Sequence, residues 1–256
     1  MNQMKVTFLG TGTSQGIPVI ACPCETCASS DPRDRRLRSS VLLQISGKNI
    51  VIDAGPDFRQ QMLRAGVKWL DAILFTHGHK DHTAGLDDVR AYNYVMQRPT
   101  DVYAEKRVEE VLRQEFSYIF SEVKYPGVPE INIHTIDETP FYIDNVQITP
   151  IRVMHMKLPI LGFRIGSFAY ITDANHISES EKSKLQGLDC LVLNGLRKEP
   201  HISHFTLYEA LNMINELNPK RAYITHISHQ LGLHRQVQAD LPQNVFLAWD
   251  GEEIKA

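Results

Sequence analysis

One loop of the sequence concentrates side chains that bind metal ions. It reads Thr76-His77-Gly78-His79-Lys80-Asp81-His82 and directly follows an apolar strand predicted at 72–75. His77 and His79 alternate, so an extended loop would point both imidazoles the same way. Asp81 and His82 are adjacent, so we expect them to diverge and to serve a second ion beside the first. Imidazole together with carboxylate suits zinc, manganese or iron.

Two ions need more ligands than one loop supplies, and further candidates follow other predicted strands. His155, Asp173 and His226 are each the first or second ligand-type residue after an apolar strand. A pair of divalent ions can hold a hydroxide at neutral pH and neutralise charge on a phosphoryl or carbonyl group. The pattern therefore predicts a hydrolytic centre, but the ligands alone do not choose between phosphodiester, lactam, lactone and thioester.

A histidine near a helix start is the candidate for acting on the leaving group. His204 lies two residues before Thr206, which together with Glu209 forms a capping-box start for a helix predicted at 206–217. A helix N-terminus favours anions such as phosphate, and a histidine there can clamp a phosphate or protonate an alkoxide. His201, three residues earlier, is the competing candidate.

Two other cationic features could meet a phosphate. Lys157 lies two residues past His155 and is a candidate substrate-binding residue. The second feature is a run of arginines, Arg33, Arg35, Arg36 and Arg38. Such a run most simply forms a solvent-exposed face, and substrate binding is the alternative.

The composition limits the class of protein. The chain has 256 residues, with 27 Lys+Arg against 30 Asp+Glu, for a formal charge of −3. This balance argues against a protein that grips long nucleic acid by charge alone. No apolar run approaches the roughly 18 residues of a membrane-spanning helix, and the first nine residues are too short and polar for a secretory signal. We therefore expect a cytoplasmic protein with no membrane partner.

The elements that must position these residues are mostly short strands. A hairpin is predicted from strands at 40–45 and 49–53 around Ser46-Gly47-Lys48. Adjacent strands fill the first two-thirds of the chain, and helices lie between the later ones. Sheets covered by helices are the natural architecture. With no linker and no repeat visible, we expect one domain over 1–256.

The loop and the strand-end residues together resemble the metallo-β-lactamase superfamily of hydrolases over nearly the whole chain. This resemblance implies an α/β fold, a four-layer αββα sandwich with the metal site at one edge. It also implies that Asp53 supports the ligand loop without binding metal. The implied ligands are His77, His79 and His155 for the first ion, Asp81, His82 and His226 for the second, and Asp173 as the bridge.

A cysteine cluster narrows the resemblance. Cys22-Pro23-Cys24-Glu25-Thr26-Cys27 and the segment Thr225-His226-Ile227-Ser228-His229-Gln230 resemble the phosphoribosyl 1,2-cyclic phosphate phosphodiesterase family of phosphonate degradation. In a reducing cytosol, clustered cysteine indicates a metal site more than a disulfide. The resemblance implies a structural zinc in a closed Cys₃His site made by Cys22, Cys24, Cys27 and His229. Three buried or redox-active thiols are the alternative.

The narrower resemblance implies a metal-dependent phosphodiesterase. Two active-site ions, zinc or manganese, would hold the hydroxide that attacks a small phosphodiester, in that family a cyclic phosphate of ribose. His204 and Asp81 would be catalytic, and His204 and Lys157 would contact the substrate. The resemblance also suggests a homodimer.

Two other functions stay open at the level of the sequence. A tRNA 3′-processing endonuclease of the same superfamily fits His155 followed by Gly162-Phe163-Arg164-Ile165. That family usually inserts a Gly/Pro/Lys-rich arm to grip tRNA, and residues 100–200 show no such arm. The net acidity also argues against a nucleic-acid partner. The second alternative is a non-enzymatic, zinc-stabilised binding module.

Overall fold

The computed structural model describes residues 4–256, in which fifteen strands form two mixed sheets. The strands are β1 (Lys5–Gly10), β2 (Ser40–Ile45), β3 (Lys48–Ile52), β4 (Ala72–Leu74), β5 (Thr100–Glu105), β6 (Ile131–Ile136), β7 (Phe141–Ile143), β8 (Val146–His155), β9 (Leu158–Ile165), β10 (Phe168–Ile171), β11 (His176–Ile177), β12 (Cys190–Asn194), β13 (Arg221–Thr225), β14 (Val245–Leu247) and β15 (Glu253–Lys255). The first sheet has the order β15-β1-β2-β3-β4-β5-β6. The second has the order β11-β8-β9-β10-β12-β13-β14, with β7 paired to β8 beside it.

Helices lie between the strands in both halves of the chain. They are α1 (Glu25–Ala28), α2 (Phe58–Ala65), α3 (Lys80–Thr83), α4 (Arg90–Met96), α5 (Lys106–Glu115), α6 (Glu179–Ser183), α7 (Leu207–Leu217) and α8 (His234–Asp240). Short 3₁₀ turns occur at Pro32–Asp34, Leu86–Val89, Ser117–Phe120 and His229–Leu231. No helix within residues 4–256 is long and apolar enough to cross a membrane.

Three apolar cores separate four layers. Between the two sheets, Phe8 of β1 packs on Tyr223 of β13 with ring centroids 5.4 Å apart. Phe58 and Leu112 belong to a second core, which α2 and α5 share with the outer face of the first sheet. Ile214 belongs to a third, between α7, α8 and the second sheet. The predicted αββα sandwich is therefore confirmed.

Two local predictions from the sequence are also confirmed. The β2–β3 hairpin turns at Ser46 and Gly47, whose φ angles of 52° and 77° are the paired positive values that suit a tight hairpin. Thr206 caps α7: its side chain accepts a hydrogen bond from the Glu209 N–H, and the Glu209 carboxylate accepts one from the Thr206 N–H. This helix begins beside the segment that carries His204.

Strand ends from both sheets meet at one edge of the sandwich. The Leu161 N–H of β9 donates to the Thr76 carbonyl, which joins the loop after β4 to the second sheet. Asp53, Asp173 and His226 follow β3, β10 and β13, and all three adopt left-handed backbone conformations, with φ of 65°, 58° and 53°. Their side chains therefore turn sharply out of the strands at the same edge.

Candidate metal centre and adjoining cleft

Three histidines form the first group of candidate metal ligands. The loop after β4 places His77 Nε2 3.1 Å from His79 Nδ1. His155, at the end of β8, lies with its ring centroid 5.1 Å from that of His79. One nitrogen from each of the three rings lies within 4.8 Å of the other two. Three imidazoles at this spacing can hold one divalent ion and leave a position open.

A second group adjoins the first. His82 Nε2 lies 3.2 Å from a carboxylate oxygen of Asp81 and 3.2 Å from one of Asp173. His226 Nε2 lies 3.2 Å from the other oxygen of Asp173. Asp173 lies within 4.8 Å of ligand atoms from both sides of the centre. The structure thus brings all seven predicted ligands together, with Asp173 between the two groups.

The expectation that Asp81 and His82 diverge is wrong. Their side chains approach to 3.2 Å because the loop is not extended there: α3 begins at Lys80, directly after His79. Adjacent side chains on a helix are separated by about 100°, whereas those on a strand point to opposite faces. The helical turn lets both residues face the same centre.

Hydrogen bonds behind the ligands fix their orientation. The Asp53 carboxylate accepts from the Thr76 N–H at 2.9 Å and lies 2.7 Å from His82 Nδ1. The Ser39 hydroxyl donates to the Gly12 carbonyl at 2.9 Å, so it can accept from Nδ1 of His226 at 3.1 Å. With Nδ1 occupied in this way, both imidazoles direct Nε2 at the centre. Asp53 lies behind the ligand loop, as the resemblance implies.

The electrostatics of the centre fit divalent cations. Burial alone would raise the pKa of Asp173, but the adjacent His226 and His82 lower it well below its ordinary value. Burial lowers the pKa of His226 to about 4. His82 Nε2 is buried with no hydrogen-bond partner among residues 4–256, although two carboxylates face it. Buried carboxylates with inward-pointing imidazole nitrogens are stabilised by a bound cation.

The cysteine cluster forms a separate group with His229. Cys22 Sγ and Cys24 Sγ each lie 3.3 Å from His229 Nδ1, and Cys27 Sγ lies within 4.8 Å of these atoms. The Cys27 N–H and the His229 ring lower the pKa of the Cys24 thiol to about 6, which favours the thiolate that binds metal. Four sulfur and nitrogen donors are the ligand set of a closed tetrahedral zinc site.

Of the two candidate acids, His204 is the closer to the centre. Its Nε2 lies 3.1 Å from Asp173 Oδ1, and its ring stacks on that of His226 at 5.0 Å between centroids. His201 contacts the ring of His204, with 3.1 Å between their Nδ1 atoms. The geometry therefore favours His204 over His201 for action on a bound ligand.

The predicted substrate-binding cations are placed differently from one another. Lys157 is exposed in the turn between β8 and β9, and it forms no hydrogen bond or ion pair within residues 4–256. Its role stays a prediction. The arginine run is not one solvated face: Arg36 is only 3% exposed and donates to Thr11 Oγ1 at 2.8 Å. Arg38 pairs with Asp57 at 3.1 Å.

A cleft of about 230 Å³ opens beside the centre. Its lining residues include Thr13, Ser14, Gln15, Arg197, His201, His204 and Gln230. Sequence reasoning did not single out Arg197, because it lies between β12 and His201 with no motif around it. The one feature of the sequence that could have indicated Arg197 is that it follows closely after an apolar strand.

Comparison with known proteins identifies the family. Residues 48–227 match the model of the Beta-lactamase superfamily domain. A solved structure described as a new diphosphatase from the PhnP family superposes with a TM-score of 0.94 and 40% identity, covering 100% of this chain and 98% of that one. The chain therefore belongs to the β-lactamase superfamily, whose metallo-β-lactamase fold implies divalent metal ions, and within it to the PhnP family.

Two further comparisons are more distant or partial. Zinc-bound PqqB from Methylobacterium extorquens has a TM-score of 0.76 at 19% identity, covers 98% of this chain and 99% of its own, and shares the fold. A protein of Porphyromonas gingivalis named octanoyltransferase is 39% identical over 98% of this chain but only 51% of its own length. The chain spans about half the length of the first curated relatives it matches.

Proposed function

We propose that this protein is a metal-dependent hydrolase that cleaves a small phosphodiester, with a cyclic phosphate of ribose as the candidate substrate. The observation that carries the proposal is the convergence of seven ligand-type side chains, Asp173 among them, on one centre, with His204 3.1 Å from the Asp173 carboxylate. The solved relative at 40% identity is described as a diphosphatase, which supports phosphoryl chemistry over lactam or thioester cleavage.

The two ligand groups suit two divalent ions, zinc or manganese. His77, His79 and His155 would hold one ion. Asp81, His82 and His226 would hold the other, with Asp173 shared between them. When bound, the pair would lower the pKa of water and stabilise negative charge on the phosphoryl group. A third ion, a structural zinc, would be held by Cys22, Cys24, Cys27 and His229.

The chain's own residues would orient the reactants and move the proton. Asp81 has a side chain that is 13% exposed, so its carboxylate can accept a hydrogen bond from the attacking water and orient it. His204 Nδ1 lies 3.0 Å from Ser203 Oγ, which leaves Nε2 facing the centre. From there, His204 can donate a proton to the departing sugar oxygen or clamp a phosphate oxygen.

A substrate panel with an inactive variant tests the proposal. The metal-loaded protein is assayed with bis(p-nitrophenyl) phosphate, ribose 1,2-cyclic phosphate and a precursor tRNA. We expect turnover of the two small esters, and Asp173→Ala should abolish it because both ligand groups lose a shared carboxylate. Asp189→Ala, at an aspartate on the surface that pairs with Lys220, is the matched control and should keep full activity.

Two other results would point to the alternative functions. Cleavage of precursor tRNA with no turnover of the small esters would favour the endonuclease. No turnover of any ester by a protein that carries its full complement of metal would favour the binding module. The homodimer and the cytoplasmic location stay predictions from the sequence.

A further inference from the structure

We propose that Asn194 is a positioning residue, which fixes Asp173 and His204 relative to each other through the backbone of Ala174. Its side chain bonds to that backbone, so it acts through these two residues and is not itself catalytic. The part of the inference that concerns His204 rests on the proposed function, whereas the part that concerns Asp173 rests on the ligand geometry alone.

Asn194 is a polar residue at the end of an apolar strand. β12 is buried along its whole length, and Asn194, its last residue, is 0% exposed. Burial of an amide costs stability unless its polar atoms are hydrogen-bonded. The other four residues of the strand fill the core without that requirement. The amide is therefore explained by the hydrogen bonds that it makes to Ala174.

The Asn194 amide fixes the peptide units on both sides of the Ala174 Cα atom. Its Oδ1 accepts from the Ala174 N–H at 2.8 Å, and its Nδ2 donates to the Ala174 carbonyl at 2.9 Å. Ala174 follows Asp173, whose φ of 58° lies in a region that residues with side chains adopt only rarely. A backbone in such a conformation persists where its surroundings constrain it. The amide thus holds the turn that aims the Asp173 carboxylate at the centre.

The same carbonyl holds the segment that carries His204. The Ala174 carbonyl also accepts from the Phe205 N–H at 2.7 Å, and Phe205 directly follows His204 in the chain. On the other side of this link, Asp173 directly precedes Ala174. The 3.1 Å between His204 Nε2 and Asp173 Oδ1 is therefore set by a short path of backbone hydrogen bonds, with Asn194 at its buried end.

His155 joins this framework from the three-histidine group. Its Nδ1 lies 2.8 Å from the Asp173 carbonyl and 2.9 Å from the Ser203 carbonyl. An N–H shared between these two carbonyls directs Nε2 to the candidate centre, as is usual for histidines that bind metal. A change at Asn194 should therefore reach the candidate ligands and the proposed acid together.

Two esters that differ in their leaving group test the link to His204. With excess manganese, kcat is measured for ribose 1,2-cyclic phosphate, whose departing sugar oxygen needs a proton, and for bis(p-nitrophenyl) phosphate, whose departing nitrophenolate does not. We expect Asn194→Ala to lower kcat for the sugar ester at least about tenfold more than for the aryl ester, because a misplaced acid fails only where a proton is required.

Metal retention tests the link to Asp173 without any substrate. The manganese-loaded protein is dialysed against buffers of fixed free manganese, and the manganese left per chain is counted by mass spectrometry, which separates it from zinc at the cysteines. We expect Asn194→Ala to need about 10- to 100-fold more free manganese for half occupancy, the usual effect of removing a group that orients a metal ligand.

Thr225→Val is the matched control. Thr225 ends the neighbouring strand β13 and pairs with Asn194, and its buried hydroxyl has no hydrogen-bond partner among residues 4–256. Both measurements should stay at their wild-type values. Asn194→Asp is the second variant, in case Asn194→Ala does not fold. Its carboxylate keeps an acceptor for the Ala174 N–H but repels the Ala174 carbonyl, so both effects should keep their direction.

Two results would overturn the inference. Equal losses of kcat on the two esters, or no loss, would mean that Asn194 only supports the core. An unchanged manganese requirement in both Asn194 variants would mean that Asn194 does not hold Asp173. Turnover of neither ester by wild type is a failure of the proposed function instead. Whenever the two esters cannot be compared, metal retention alone decides the role of Asn194.

Discussion

At the scale of single residues, the ligand types and their place after apolar strands predicted which side chains would lie together at the candidate centre. All seven predicted donors converge, because strand ends at one edge of a sandwich are close in space whatever their separation in sequence. The sequence did not predict the environment of residues whose contacts lie far away along the chain. Nothing near Arg36 reveals its burial, since it lies 3.1 Å from His234, 198 positions along the chain.

The role of His204 gives a prediction at this scale. His204→Ala should lower kcat about 10²- to 10⁴-fold, the usual contribution of general acid–base catalysis. The number of metal ions per chain, measured by mass spectrometry of the purified protein, should stay the same. His201→Ala is the comparison variant, with a smaller loss expected because His201 reaches the centre only through His204.

The same measurement can contradict that assignment. Nε2 of His204 is close enough to Asp173 and His155 to act as a metal ligand instead. Loss of an ion in His204→Ala would therefore mean that the residue binds metal and is not the acid.

At the scale of elements, the turn after β13 connects two sites. It carries His226 of the central group, and three residues later His229 of the cysteine group. The loop with Cys22, Cys24 and Cys27 thereby lies against the end of a strand that also bears a candidate ligand of the central group. The hairpin and α7 were predictable from turn and cap residues, but α3 was not, because four residues give too little periodicity.

A cysteine substitution tests this connection. Cys24→Ser should remove one zinc per chain and lower the free energy of unfolding by more than about 2 kcal/mol, since a metal bound only by the folded state stabilises it. Zinc content and urea denaturation are the measurements. Cys190→Ala is the control: Cys190 is buried in the core between the sheets, so its substitution should leave the zinc content unchanged.

At the scale of the whole molecule, one chain segment returns from the second sheet to the first. After β14, the turn at Gly251 and Glu252 exchanges hydrogen bonds with the backbone of Phe8 before β15 joins β1. Burial raises the pKa of Glu252 from 4.5 to about 7. The folded state therefore keeps this proton over a pH range in which the unfolded chain has released it.

The pH dependence of stability follows from that shift. Because the folded pKa is the higher one, this carboxyl contributes stability below pH 4.5 that is lost as the pH rises to about 7. Glu252→Gln should then be more stable than wild type at pH 8 by about 1–3 kcal/mol, and by less than half as much at pH 5.5. Urea denaturation at both pH values measures the difference.

The neighbouring glutamate provides the control for this experiment. Glu253 is 57% exposed and pairs with Lys5 on the surface, so Glu253→Gln should change stability little at either pH. Equal stability of wild type and Glu252→Gln at pH 8 would contradict the buried-carboxyl account.

The left-handed turns at Asp53, Asp173 and His226 restrict how this centre could evolve. Aspartate, asparagine and histidine tolerate positive φ better than other residues with side chains, and two of these three types are also good metal donors. Glutamate at these positions would be disfavoured by the positive φ, and its longer side chain would place the carboxylate at a different distance from the candidate centre. The backbone conformation at Asp173 and His226 thus limits the residue types that can replace them, independently of what catalysis requires.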